Sequence, residues 1–161
     1  MTKSLKALCV LFFAVILLAG CRGAEHAELV TDFKADFTAC YRGQELEGSV
    51  TYNRQGRMNM RLSSPGTLDG LSIGCSDGEL RLSKDGMQCT ADEAYLPSTS
   101  LPAGLKNVLD EICREQENGR FVLNDGKAAV GDWKLTAGEN GFIVSLECPD
   151  GKIEFINAAG L

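Results

Sequence analysis

The chain has 161 residues and a formal net charge of −6. That balance argues against a nucleic-acid partner and against spreading on anionic lipid by charge. The length suits one domain that buries its own core.

Lys3 and Lys6 precede an apolar run that begins near Leu8 and ends at Leu18-Ala19-Gly20-Cys21. A basic start, a short apolar stretch and small residues before a cut site describe an export signal. The run is shorter than the ~20 residues a spanning helix needs. Leu18-Ala19-Gly20-Cys21 resembles the lipobox of bacterial lipoproteins. By that resemblance residues 1–20 are removed, Cys21 carries a diacylglycerol, and the chain is anchored in a cell membrane on its extracytoplasmic side. Two acyl chains anchor stably where one is marginal. Residues 21–30 then form a polar tether, which holds the single histidine, His26. Residues 31–161 form the domain.

Phe33, Ala35, Phe37, Ala39 and Tyr41 alternate with polar residues, which predicts a strand with one dry face. Leu46 to Tyr52 and Met58 to Leu62 repeat the pattern, and short turns join the three into a meander. Pro65 breaks it, since proline donates nothing to a ladder. Shorter strands are expected at 71–75, 80–82 and 87–89, separated by Asp77-Gly78 and Asp85-Gly86. Asp-Gly is a hairpin signature because such turns need positive φ. Ser100 is placed to cap a helix over 101–118 that tolerates Pro102 in its first turn. Its apolar stripe is Leu101, Leu105, Val108, Leu109 and Ile112. Its outer face carries Lys106, Asp110, Glu111, Arg114 and Glu117, and Gly119 stops it. Strands resume at 121–123, 130–135, 142–146 and 153–156.

About ten strands at ~4.8 Å would span roughly 50 Å if flat. One helix is ~10–12 Å across and covers two or three of them. The fold class expected is therefore mostly β (α+β). A curled antiparallel sheet, an open half-barrel, wraps on one main helix. Any uncovered part of its concave face would be an apolar cavity suited to a ligand. The alternative is a cavity filled by side chains.

The chain resembles the LolA/LolB-like lipoprotein-handling proteins, and more closely small clostridial envelope lipoproteins of that architecture. The carrying features are the lipobox, the Phe33–Tyr41 strand, Ser64-Pro65-Gly66-Thr67-Leu68-Asp69-Gly70-Leu71, the Leu96-Pro97 loop before the helix, and Lys152-Ile153-Glu154-Phe155-Ile156-Asn157. The resemblance implies an unclosed antiparallel barrel on a helix. It implies either a concave face that holds acyl chains or a partner-binding module in envelope signalling or spore germination.

Chemistry-bearing residues are sparse. The 31–161 region has no histidine, so Ser-His, Cys-His and histidine-metal sites are unavailable there. No cysteine stands in Cys-x-x-Cys, and the Asp-Gly turns lack the spacing of a calcium loop. The expectation is no catalytic residue, metal or cofactor. Cys40, Cys75, Cys89, Cys113 and Cys148 remain after Cys9 and Cys21. Export permits disulfides, and the odd number allows at most two bridges within the chain and leaves at least one thiol free or paired outside it. Simple register places Cys75 and Cys89 both near Leu80, two strand spacings apart and too distant to bridge. Their pairing is otherwise open. The expected function is a non-enzymatic, membrane-anchored binding module. An acyl chain or lipidated ligand would lie against Phe37, Val50, Tyr52, Met58, Met60, Leu80, Leu82 and Trp133. The alternative is an adaptor with a packed core that binds an envelope or spore-germination protein.

Overall fold

The computed structural model describes residues 28–161. Cys21, the leader and His26 lie outside the described residues. The fold is mostly β: ten strands form one antiparallel, unclosed sheet, with one long helix.

Strand β1 (Phe33–Tyr41) lies at the centre of the sheet. From it the chain meanders outward through β2 (Gln44–Tyr52), β3 (Met58–Ser64), β4 (Ser72–Ser76), β5 (Glu79–Lys84) and β6 (Met87–Asp92). A 3-10 turn, Glu93–Tyr95, leaves that edge and leads to helix α1 (Leu101–Glu117). The chain then re-enters at the opposite edge with β7 (Lys127–Val130). It returns through β8 (Trp133–Ala137), β9 (Ile143–Cys148) and β10 (Gly151–Gly160) to pair with the other side of β1. The spatial order is β6-β5-β4-β3-β2-β1-β10-β9-β8-β7. One helix thus carries the chain from one sheet edge to the other.

Alternation explains the strands. β1 buries Phe33, Ala35, Phe37, Ala39 and Tyr41 and turns Lys34, Asp36 and Cys40 outward. Antiparallel register aligns the dry positions into rows. One row is Ala35–Val50–Met60–Ile73–Leu82–Cys89, and the next is Phe33–Tyr52–Met58–Cys75–Leu80–Ala91. β3 ends at Ser64, immediately before Pro65. Ladder irregularities at Glu47/Gly48 and at Lys34/Asp36 bend the long central strands, as bulges do.

Ser100 caps α1 by accepting from the Ala103 N–H at 3.4 Å. The helix buries Leu101, Leu105, Val108, Leu109, Ile112 and Cys113, which join the inward strand residues in one core. The entry segment is tied down as well. Leu29 and Thr31 are buried, and the Val30 N–H donates to the Gly141 carbonyl at 2.9 Å. Arg54, in the β2–β3 turn, donates to the Thr31 hydroxyl and to Glu28, both at 2.9 Å.

Three expectations from the sequence need correction. Residues 121–123 are not a strand. Phe121 and Leu123 are buried, but the Arg120 and Phe121 N–H groups close the helix on the Glu115 carbonyl instead of joining a ladder. Residues 130–135 are not one strand either: they straddle the tip of the β7–β8 hairpin, where Gly131-Asp132 separates Val130 from its partner Trp133. Finally, Cys75 lies opposite Leu80, whereas Cys89 lies opposite Leu82, one step along the same face.

Candidate functional site

The eight residues expected to line a concave wall do come together, as core. Phe37, Val50, Tyr52, Met58, Met60 and Leu80 are at most 5% exposed. Leu82 and Trp133 are half-buried against the same cluster. The helix residues facing them, Leu105, Leu109 and Ile112, have no exposed surface. At Gly104 the helix has no side chain. A Cβ on Gly104 would stand 3.2 Å from the Trp133 ring and 3.5 Å from the Tyr41 hydroxyl.

A polar cluster borders this core where β2, α1 and the 3-10 turn meet. The Tyr52 hydroxyl donates to Asp110 Oδ1 at 2.7 Å and lies 3.6 Å from Cys113 Sγ. Lys106 Nζ donates to Asp110 Oδ2 at 2.7 Å and lies 3.3 Å from Glu93 Oε1. The Lys106 side chain is only 13% exposed. Lys106 and Asp110 were expected on the solvated outer face of the helix. They sit instead at the edge of the apolar stripe, because the 3-10 turn brings Glu93 over the first turns and Tyr52 reaches up from the sheet. Their i, i+4 spacing was the one sign of a pair in the sequence. Glu111 and Arg114, an i, i+3 pair, do lie on the more exposed side.

Burial, then the hydrogen bond to the Asp110 carboxylate, holds the Tyr52 phenol far above its ordinary range. Burial pulls Lys106 down, but the bond to Asp110 and the charges of Asp110 and Glu93 outweigh it, so its pKa is raised. Burial also raises the Cys75 and Cys113 thiols. For Cys113 the hydrogen bonds with Tyr52 and Thr31 offset part of that effect. Neither thiol is poised as a nucleophile, since reactivity follows the thiolate fraction.

All five described cysteines are free thiols. Cys75 and Cys113 are buried, Cys148 is half-buried, and Cys40 and Cys89 are exposed. Among the described residues, no three His, Cys, Asp or Glu side chains gather as a metal-binding group.

The concavities described are open surface clefts with mixed polar and apolar walls. One, of about 290 Å³, lies beside the last turn of α1 between Thr31, Arg54, Cys113, Gln116 and Phe121. Gln116 Oε1 is buried there without a hydrogen-bond partner. Another, of about 320 Å³, crosses the outer sheet face at Thr51, Asn59, Ser72, Arg81 and the terminal Leu161. Among the described residues no helix is long and apolar enough to cross a membrane. No family model matches the chain, and no curated protein matches it significantly.

Proposed function

We propose that this chain is a non-enzymatic adaptor lipoprotein of the LolA/LolB-like architecture. It is anchored through Cys21 at the extracytoplasmic face of a cell membrane and binds an envelope protein with its outer surface. The observation that carries this reading is the packing of the eight wall residues. The six most buried are at most 5% exposed, and the helix residues over them are fully buried. An acyl chain would have to displace α1 from a core of interior density, where even one added methylene is felt.

Two measurements on protein extracted from its own membrane test the reading. Organic extraction and mass spectrometry should find no stoichiometric lipid beyond the N-terminal anchor. A photo-crosslinker at exposed Tyr95 or Ile156 should capture one discrete envelope protein. One fatty acid or phospholipid per chain, displaced by Met60→Glu in a protein that stays folded, would replace the adaptor with a lipid-holding module.

A further inference from the structure

Among the described residues the sheet has two unpaired edges, β6 and β7, and they are not equally protected. Natural sheets guard their edges with brevity, lysines, proline, bulges or a covering element. β7 has four residues, begins with Lys127 and lies against α1. β6 has six residues, all exposed, without lysine, proline or a break in register.

The direction of its unpaired groups follows from the turn. Asp85 and Gly86 both have positive φ, and Lys84 pairs with Met87 across them. A two-residue turn of this kind is flanked by a hydrogen-bonded pair, and such pairs alternate along an antiparallel ladder. The far end agrees: the Glu93 N–H donates to the Gly78 carbonyl at 2.8 Å. The main-chain groups of Met87, Cys89 and Ala91 are therefore engaged with β5. Those of Gln88, Thr90 and Asp92 point off the edge. The side chains of Met87, Cys89 and Ala91 lie on the same face as those of Lys84, Leu82 and Leu80, and among the described residues no element covers them.

We infer that β6 is a homodimer edge, pairing antiparallel with β6 of a second copy so that Cys89 lies opposite Cys89 on the two-fold axis. The strand is self-complementary in that register. Gln88 meets Thr90 as a hydrogen-bonded pair and Met87 covers Ala91, so within the strand no two charged side chains oppose each other; Asp92 falls opposite Gly86, and the acids Asp85 and Glu93 meet only outside the ladder. Shifting one copy by two residues also keeps outward groups matched: in one direction only three strand residues stay paired, and in the other five do, as here, but Met87 then lies opposite Glu93 and Gln88 opposite Asp92. The Cys89 pair is non-hydrogen-bonded, with Cα atoms about 4.5 Å apart, within reach of a disulfide.

The test uses the full lipidated chain in detergent, with the micelle contribution separated by light scattering. Reduced wild type should have the mass of a dimer. Thr90→Pro removes an outward N–H, and Cys89→Lys sets two cations on the axis; each should weaken the dimer at least tenfold while circular dichroism stays native. If Thr90→Pro fails to fold, Cys89→Lys decides alone. Oxidised glutathione reports the register. One Cys89 thiolate displaces a glutathione thiol to form a mixed disulfide, and the second Cys89 displaces the other glutathione, so two thiols leave for one disulfide formed. Cross-linking should persist in Cys40→Ser/Cys148→Ser and vanish in Cys89→Ser. A monomeric mass for reduced wild type, or cross-linking at an undiminished rate in folded Thr90→Pro, would overturn the inference.

Discussion

The Tyr52 hydroxyl donates a 2.7 Å hydrogen bond to Asp110 Oδ1, tying the end of β2 to the middle of α1 across 58 positions of sequence. Tyr52 is fully buried, and its ring packs 6.4 Å from that of Phe33, so one side chain serves both the core and the polar cluster above it. Tyr52→Phe keeps the ring and removes the hydroxyl. It leaves Asp110 with Lys106 alone and Cys113 without its phenol partner. Bonds to charged groups contribute roughly 1.5–3 kcal/mol. Asp110 is partly exposed and regains water, so the expected loss is near 1–2 kcal/mol. Urea unfolding of Tyr52→Phe beside Asp110→Asn and the double variant measures the coupling. Strictly additive losses would mean that the bond contributes nothing.

The same cluster sets the alkaline limit of the fold. Cys75, Cys113, Tyr52 and Lys106 all have raised pKa values in the folded state. The folded chain therefore holds protons that the unfolded chain releases. Their contribution is fully present below the unfolded values, about 9 for the thiols and 10–10.5 for Tyr52 and Lys106. It is lost as pH rises past them. Stability should be level through neutral pH in these groups and fall from about pH 9. Urea midpoints from pH 7 to 10.5 read it. In Cys75→Ala/Cys113→Ala the first part of the fall, between about pH 8.5 and 10, should flatten. An unchanged slope would assign the loss to other groups.

Local pattern made most of the elements legible, and topology hid the rest. The Phe33–Tyr41 alternation and the Leu101–Ile112 stripe each declare one dry face, so their elements formed as expected. Val130 to Trp133 misled because Gly131-Asp132 turns the chain without the Asp-Gly order seen at residues 77–78 and 85–86. Phe121 and Leu123 carry strand-like spacing but serve as anchors after the helix. That β10 lies beside β1, and that β6 is left as an edge, depends on where α1 delivers the chain, which no local period encodes. The cluster of Lys106, Asp110, Tyr52 and Glu93 was hidden for the same reason. Its members come from three elements, α1, β2 and the 3-10 turn, brought together only by the curl of the sheet.

Gly48 sits at a very close backbone approach between β2 and β3. A Cβ there would stand 2.1 Å from the Arg61 carbonyl oxygen, which is main chain and has little freedom to move aside. Gly48→Ala should push β2 from β3 at the irregularity beside Glu47. A loss of about 1–3 kcal/mol is expected, as for overpacking elsewhere. Hydrogen exchange should rise first in β3 and β4, on the far side of the displaced pair. A stabilised variant would show that the ladder has slack at this position.

Packing of the wall separates residues that the sequence grouped together. Met60 is fully buried between Val50 and Ile73, whereas Leu82, in the same row, is half-buried beside bare β6. Met60→Ala should cost about 2–5 kcal/mol through lost contacts and the void left behind. Leu82→Ala should cost much less, because water already reaches its side. Thermal melts of the two single variants give the contrast directly. Comparable small losses at both sites would mean that the space over Met60 collapses without cost, and the core would be looser than its burial indicates.

The thiols offer a test of burial that needs no unfolding model. Cys40 and Cys89 are exposed, Cys148 is half-buried, and Cys75 and Cys113 are buried. Alkylation with iodoacetamide followed by intact mass should add two groups quickly and a third slowly. The last two should appear only at the rate of global opening. Cys40 should lag behind what its exposure alone would set, because the hydrogen bond and charge of Glu45 raise its pKa and reduce its thiolate fraction. Glu45→Gln should remove that lag and leave Cys75 and Cys113 untouched. Rapid labelling of Cys113 in the native protein would place the C-terminal part of α1, beside the cleft at Thr31 and Phe121, in frequent local opening.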